Sequence, residues 1–304
     1  MNKYYDVSLV QEVMTGPVPS LNTLFNKDGS LDWANMGKLL DFQIANGAKS
    51  ILITQGDSCL SNLTDQETAE LVKFVVETVN KRAMVIGGGR VWCHSKNLEF
   101  AEYCRDIGCD VLIPVLPDWA QSLDVNLAAD CYRELGKIMP IMMLTNLMNG
   151  RGIPLDIYDM LEPDCGVVAV KDDTAMPYGR DMGVRIKDKF VFFSGGGKHF
   201  FLSHAPYGCK SYLSSFARML PEISNRFWEC YSTGRLQEAY DVVTTYEVPL
   251  MNFWHCGGRH FDATFRAMYE ILGLGQRWRR TPYTSYTDEQ MEQLRAFMQS
   301  LKLI

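Results

Sequence analysis

Short apolar runs alternate with longer amphipathic stretches over the first two-thirds of the chain. The runs are GPVPSLNTLF from Gly16, SILIT from Ser50, AMVIGGG from Ala83, DVLIPVLP from Asp110, PIMMLT from Pro140, GVVAVKD from Gly166, FVFFSGGG from Phe190 and KSYLSS from Lys210. Within each run the apolar character is continuous rather than alternating. That pattern predicts parallel strands buried on both faces.

Helices are expected between the runs. Leu31 to Asn46 has apolar residues at helical spacing and stops before Gly47. Thr64-Asp65-Gln66-Glu67 is a capping box that opens a helix to about Val79. Lys96 to Ile107 stops at Gly108, and Val125 to Leu135 stops at Gly136. From about Leu220 onward only amphipathic helices follow, at Pro221 to Cys230, Leu236 to Val248, Asp262 to Leu272 and Asp288 to Leu301. Eight βα units fill a (β/α)₈ barrel, here residues 1–220, with a C-terminal helical extension over 221–304. A doubly wound open sheet is the alternative. It usually has fewer units, and no GxGxxG follows the first run.

Composition narrows the function. The chain has 304 residues, 47% hydrophobic and 22% charged, which is ordinary for a globular protein. Its formal net charge of −6 argues against nucleic acid or an anionic membrane surface as a partner. No segment is apolar for long enough to span a bilayer, and the N-terminus lacks a signal peptide's apolar stretch. Nine scattered cysteines without a CxxC point to free thiols in a reducing cytoplasm.

Active sites of such barrels sit at the C-terminal ends of the strands. Four apolar residues, Val167 to Val170, lead straight into Lys171. A lysine there points into a partly desolvated mouth, where loss of water disfavours the ammonium form. The free amine can attack a ketone to form a Schiff base, an electron sink for bond making or breaking. On these residues alone, a surface lysine paired with Asp172 or Asp173 is the plainer reading.

The ordered set of motifs changes that. The chain resembles the family of dihydrodipicolinate synthase and N-acetylneuraminate lyase. PSLNTLFNKDGSLDW is similar to that family's first strand and FxxDGSxD turn, with Phe25, Asp28, Gly29 and Ser30 matching directly. NGAKSILITQGDSCLSNLTDQE aligns without gaps to the second strand, its loop and the next helix cap. GVVAVKDD matches strand 6, FVFFSGGG matches strand 7 with its Ser194-Gly195 turn, and YGCKSYLSS resembles strand 8. The resemblance implies a cofactor-free class I aldolase or lyase acting on pyruvate or a related 2-oxo acid. It implies that Lys171 forms the imine, that Gly195 and Leu213 line the substrate site, and that the chain assembles as a homodimer or homotetramer.

Two departures stand out. The family's strand 2 loop reads GTTGE, and its threonines bind the substrate carboxylate. Here Gln55-Gly56-Asp57-Ser58-Cys59 occupies it, so an ionised Asp57 would repel that carboxylate, although backbone amides of Gly56–Ser58 and the Ser58 hydroxyl remain as donors. The family's strand 5 carries a tyrosine that relays protons. Thr145 stands there, with a shorter and much less acidic hydroxyl that makes a poor general acid–base; a structural role suits it better. Arg151, in a Gly-flanked loop, matches the family's carboxylate-holding arginine across a one-residue insertion.

Weaker signals complete the reading. Gly87–Arg90 and Gly195–Lys198 are glycine loops ending in a basic residue, which suit an anion at a helix N-terminus but suit tight βα turns better. His94, His199, Trp92 and Trp119 follow strand candidates near the mouth. No histidine set fits zinc. The expected partner is therefore a small-molecule 2-oxo acid. A dehydratase or hydratase of the same family is the first alternative. A catalytically impaired relative that binds a small oxo acid is the second, supported by the missing tyrosine and the altered loop.

Overall fold

The computed structural model describes residues 2–118, 120–146, 152–174, 176–256 and 259–304. It divides into two compact units, one formed by Met1–Ser20 and Lys49–Ser214 and the other by Leu21–Ala48 and Ser215–Ile304.

The first unit holds eight strands: β1 (Gly16–Val18), β2 (Ser50–Leu52), β3 (Met84–Val91), β4 (Val111–Val115), β5 (Ile141–Leu144), β6 (Val167–Asp172), β7 (Val191–Ser194) and β8 (Ser211–Leu213). All neighbours pair in parallel, in the order β1-β8-β7-β6-β5-β4-β3-β2. A parallel bridge from Ser20 to Leu52 draws the two ends together, making a (β/α)₈ barrel. β1 ends at Val18, before Pro19, which has no N–H to offer the ladder.

A helix the sequence reading did not anticipate, α1 (Val7–Met14), opens the chain. The Asp6 carboxylate caps it by accepting the backbone N–H of Ser8 at 2.9 Å. Val10 and Met14 of α1 are fully buried in one cluster with Leu52, Ile86, Ile113, Met142, Val191 and Phe193 from the strands. On several strands the cluster takes alternate residues, as with Met84 and Ile86, Val111 and Ile113 or Val191 and Phe193, which marks the inward face.

α2 (Trp33–Ala45) lies in the second unit. The helices between the later strands are α3 (Asp65–Val79), α4 (His94–Asp106), α5 (Val125–Ile138), α6 (Ile157–Met160), α7 (Met176–Ile186) and α8 (Gly197–His204). The Thr64–Glu67 capping box is present on α3, with both reciprocal hydrogen bonds. α5 runs through Gly136 instead of stopping there. A side chain at Gly136 would overlap the carbonyl of Cys165, so this glycine serves close backbone approach rather than helix termination.

The second unit contains α2, α9 (Pro221–Ser232), α10 (Leu236–Val242), a π-helical turn over Val243–Glu247, α11 (Val248–His255), α12 (Phe261–Ile271) and α13 (Asp288–Ser300). Its FxxDGSxD turn is held by the Asp28 carboxylate, which accepts the Ser30 N–H and hydroxyl, with Gly29 at φ +85°. Two fully buried arginines anchor its interior. Arg218 donates to Asn22 Oδ1 at 2.7 Å, and Arg266 pairs with Asp262. Phe216, Met219 and Phe227 are buried, consistent with packing roles. No helix among the described residues is long and apolar enough to cross a membrane.

Candidate active site

Lys171 is the penultimate residue of β6, two positions beyond Ala169, a member of the interior cluster. It pairs in register with Leu144 on β5 and Phe193 on β7. Its side chain therefore enters the barrel mouth, and the residue is only 4% exposed. This rules out a surface lysine at a strand end. Its ammonium pairs with the carboxylate of Asp173, whose side chain stays 24% exposed. Gly195, at the turn after β7, makes room for the pair: a Cβ there would overlap the Asp173 carboxylate and lie 2.8 Å from Lys171 Nζ.

Asp172 takes the opposite face of the strand, as the alternation of β residues requires. It is fully buried, and Oδ1 accepts the Thr145 hydroxyl at 2.7 Å, the Thr174 hydroxyl at 2.6 Å and the Thr174 N–H at 3.0 Å. Oδ2 faces Nε2 of the fully buried His204 at 3.5 Å, and His204 Nδ1 meets the Ser194 hydroxyl at 3.1 Å. Burial pulls the His204 imidazole below its ordinary range, with the Asp172 charge opposing that shift. Gly179 allows this approach, since a side chain there would overlap both groups.

Thr145 sits at the end of β5 with its hydroxyl committed. It donates to Asp172 and accepts the backbone N–H of Asp173 at 3.3 Å. Tyr178 and Tyr158 are themselves engaged: Tyr178 donates to the Ile153 carbonyl at 2.7 Å and contacts the Tyr158 hydroxyl at 2.9 Å. Burial raises both phenols further from neutrality.

The loop after β2 is well ordered by its own bonds. The Asp57 carboxylate accepts the Ser20 hydroxyl at 2.6 Å, so at least part of its charge is directed into the loop's support. The Ser58 hydroxyl accepts the Thr54 N–H at 3.0 Å, and both Asp57 and Ser58 are buried. Gly56 faces open space, with nothing within 4 Å of the position a Cβ would take. Leu213, half-buried at the end of β8, packs against the interior cluster. Arg151 and Trp119 lie outside the described residues.

Several weaker candidates are engaged elsewhere. Arg90 and the Trp92 indole both hold the Asp65 carboxylate, at 2.6 and 3.0 Å. His94 pairs with Glu134 at 2.6 Å on an exposed surface. Lys198 is buried in the first turn of α8. No group of His, Cys, Asp and Glu able to hold a metal occurs among the described residues. All nine cysteines are free thiols.

The sequence model of the dihydrodipicolinate synthetase family matches residues 13–301. The chain belongs to that family. It is 22% identical over 303 residues to a 4-hydroxy-tetrahydrodipicolinate synthase of Acetivibrio thermocellus, covering 96% of this chain and 99% of the relative. The N-acetylneuraminate lyase of Mycoplasma synoviae superposes with a TM-score of 0.83 at 18% identity, over 97% of this chain and 100% of the lyase. YagE, a prophage protein of the dihydrodipicolinic acid synthase family from E. coli K12 solved with pyruvate, superposes with a TM-score of 0.82 at 18% identity, over 95% and 99% of the two chains. At these identities the superpositions speak for the fold, while the family model covers the segment carrying Lys171.

Asp172, Asp173, Thr174 and His204 are the polar residues of the site that the sequence reading did not assign to it. Asp172 and Asp173 were visible only as partners for a surface lysine. His204 carried no motif, and its place in the site depends on contacts with β6 and β7 made through the fold.

Proposed function

We propose that the chain is a Schiff-base lyase or aldolase acting on pyruvate or a related 2-oxo acid, with Lys171 as the amine nucleophile. The observation that carries this reading is an almost fully buried lysine at the C-terminal end of an interior barrel strand, with glycine at position 195 leaving space around its amine. The same reading draws on family membership, on relatives named as lyases and synthases, and on a superposable relative crystallised with pyruvate.

In this reading the Lys171 amine attacks the 2-oxo carbon and expels water, leaving an iminium that withdraws electrons from the adjacent bond. Arg151 and the Gly56 amide hold the carboxylate, because the Asp57 and Ser58 N–H groups are already given to the Thr54 hydroxyl and carbonyl, and Gly195 and Leu213 line the pocket. Thr145 orders the loop after β6 rather than moving protons. That feature also keeps a dehydratase or hydratase using the same lysine as the second reading, because loss of water makes different demands on a proton relay from aldol cleavage.

Incubation with pyruvate and sodium borohydride is expected to add the reduced adduct's mass at Lys171, and Lys171→Met is expected to add none. An intact mass unchanged across a panel of short and long 2-oxo acids would sink the reading.

A further inference from the structure

We propose that Asp173 is the proton carrier of the Lys171 site. This rests on the Schiff-base reading above and assigns the step that the missing strand 5 tyrosine leaves open.

A proton carrier must touch the reacting nitrogen and be free to change partners. Asp173 is the acid paired with Lys171 Nζ. Its carboxylate stays partly open to the mouth, whereas Asp172 is fully buried behind the strand with three donors on one oxygen. Thr145 is excluded because its hydroxyl is committed to Asp172 and to the Asp173 amide. Tyr158 and Tyr178 are excluded because they bond to one another and to Ile153.

The fold also prepares the position. The Thr145 hydroxyl holds the Asp173 backbone N–H, the Asp172–Thr174 turn fixes the next residue, and Gly195 vacates the volume that the carboxylate occupies. Thr145 is thus a positioning residue, acting on the amine through Asp173.

The protons balance without any further group. Lys171 enters as an ammonium and gives one proton to Asp173, and the amine attacks the 2-oxo carbon. Asp173 returns that proton to the former carbonyl oxygen. It then takes a second proton from the nitrogen and delivers it to the hydroxyl, which leaves as water as the C=N bond forms. Both hydrogens of the water come from the ammonium, the third stays on the iminium, and Asp173 ends as the carboxylate it began as. The same carboxylate, beside the iminium, is then placed to accept a proton from the carbon next to it.

The test is rapid mixing of the full-length protein with pyruvate, followed by borohydride quench at timed intervals and intact-mass readout. Asp173→Asn is expected to slow adduct formation by about 100-fold, while long incubation still reaches an adduct at Lys171. In Asp173→Ala, added formate is expected to restore part of the rate in proportion to its concentration, an effect that a merely structural carboxylate would not give. Because Asp173 is partly exposed, both variants are expected to melt within a few degrees of the parent; if either does not fold, the other decides. Trapping at the parent rate in Asp173→Asn, or no response to formate in Asp173→Ala, overturns the proposal. If the parent protein itself gives no adduct with any 2-oxo acid, the Schiff-base reading falls and this assignment falls with it.

Discussion

His204 Nε2 stands 3.5 Å from Asp172 Oδ2, with both side chains sealed from solvent directly behind the strand that carries Lys171. The imidazole is kept neutral mainly by burial, against the pull of the neighbouring carboxylate. The pair ties α8 to β6, and through Thr145 and Thr174 it reaches the loop holding Asp173.

This pair predicts an acid-sensitive barrel. The native imidazole titrates below 6.5, its ordinary value, so below that pH the unfolded chain binds the proton more readily. His204's contribution is therefore fully present above 6.5 and is lost as pH falls through it, by at most about 1.4 kcal/mol per pH unit. Urea unfolding of the parent and of His204→Gln between pH 7.5 and 5 checks this. The variant is expected to be less stable at pH 7.5 but to lose less on acidification; parallel curves would contradict it.

Arg151→Ala is expected to weaken substrate rather than fold. A charge-assisted bidentate contact to a carboxylate contributes roughly 1.5–3 kcal/mol, so KM or the imine dissociation constant should rise by about one to two orders of magnitude. The melting temperature should barely move. A drop of several degrees with unchanged affinity would mean that Arg151 pins its loop through an acid such as Asp156.

Condensation of pyruvate with aspartate semialdehyde is expected to be slow. That reaction needs a proton at the incoming aldehyde oxygen as well as at the enamine carbon, and with the Thr145 hydroxyl already engaged by Asp172 and the Asp173 amide, Asp173 alone is left to serve both. A purified preparation turning over at about 1 per second or faster would show that the strand 5 tyrosine is dispensable here.

The barrel was legible because its strands are buried on both faces, so each declares itself as an unbroken apolar run, and because caps such as Thr64–Glu67 are local. Lys171 was legible for the same reason: a charge at the end of four apolar residues breaks the pattern. What escaped was non-local. α1 is short, and Val10 and Met14 show their purpose only against strands far along the chain. Gly136 has the local look of a stop signal, and only the backbone at Cys165 explains it. His204 and Asp172 become a pair only once α8 lies against β6.

The burial of Val10 and Met14 in the barrel's own interior has a consequence for synthesis. α1 touches β6 and β7, which are made long after it, so it waits for much of the barrel before it meets these neighbours. Until those strands leave the ribosome, an apolar helix face stays wet, and contacts of such long sequence separation slow folding. The nascent barrel should therefore depend on whatever shelters its first helix, and substitutions at Val10 or Met14 should reduce the yield of folded protein more than its final melting temperature would suggest.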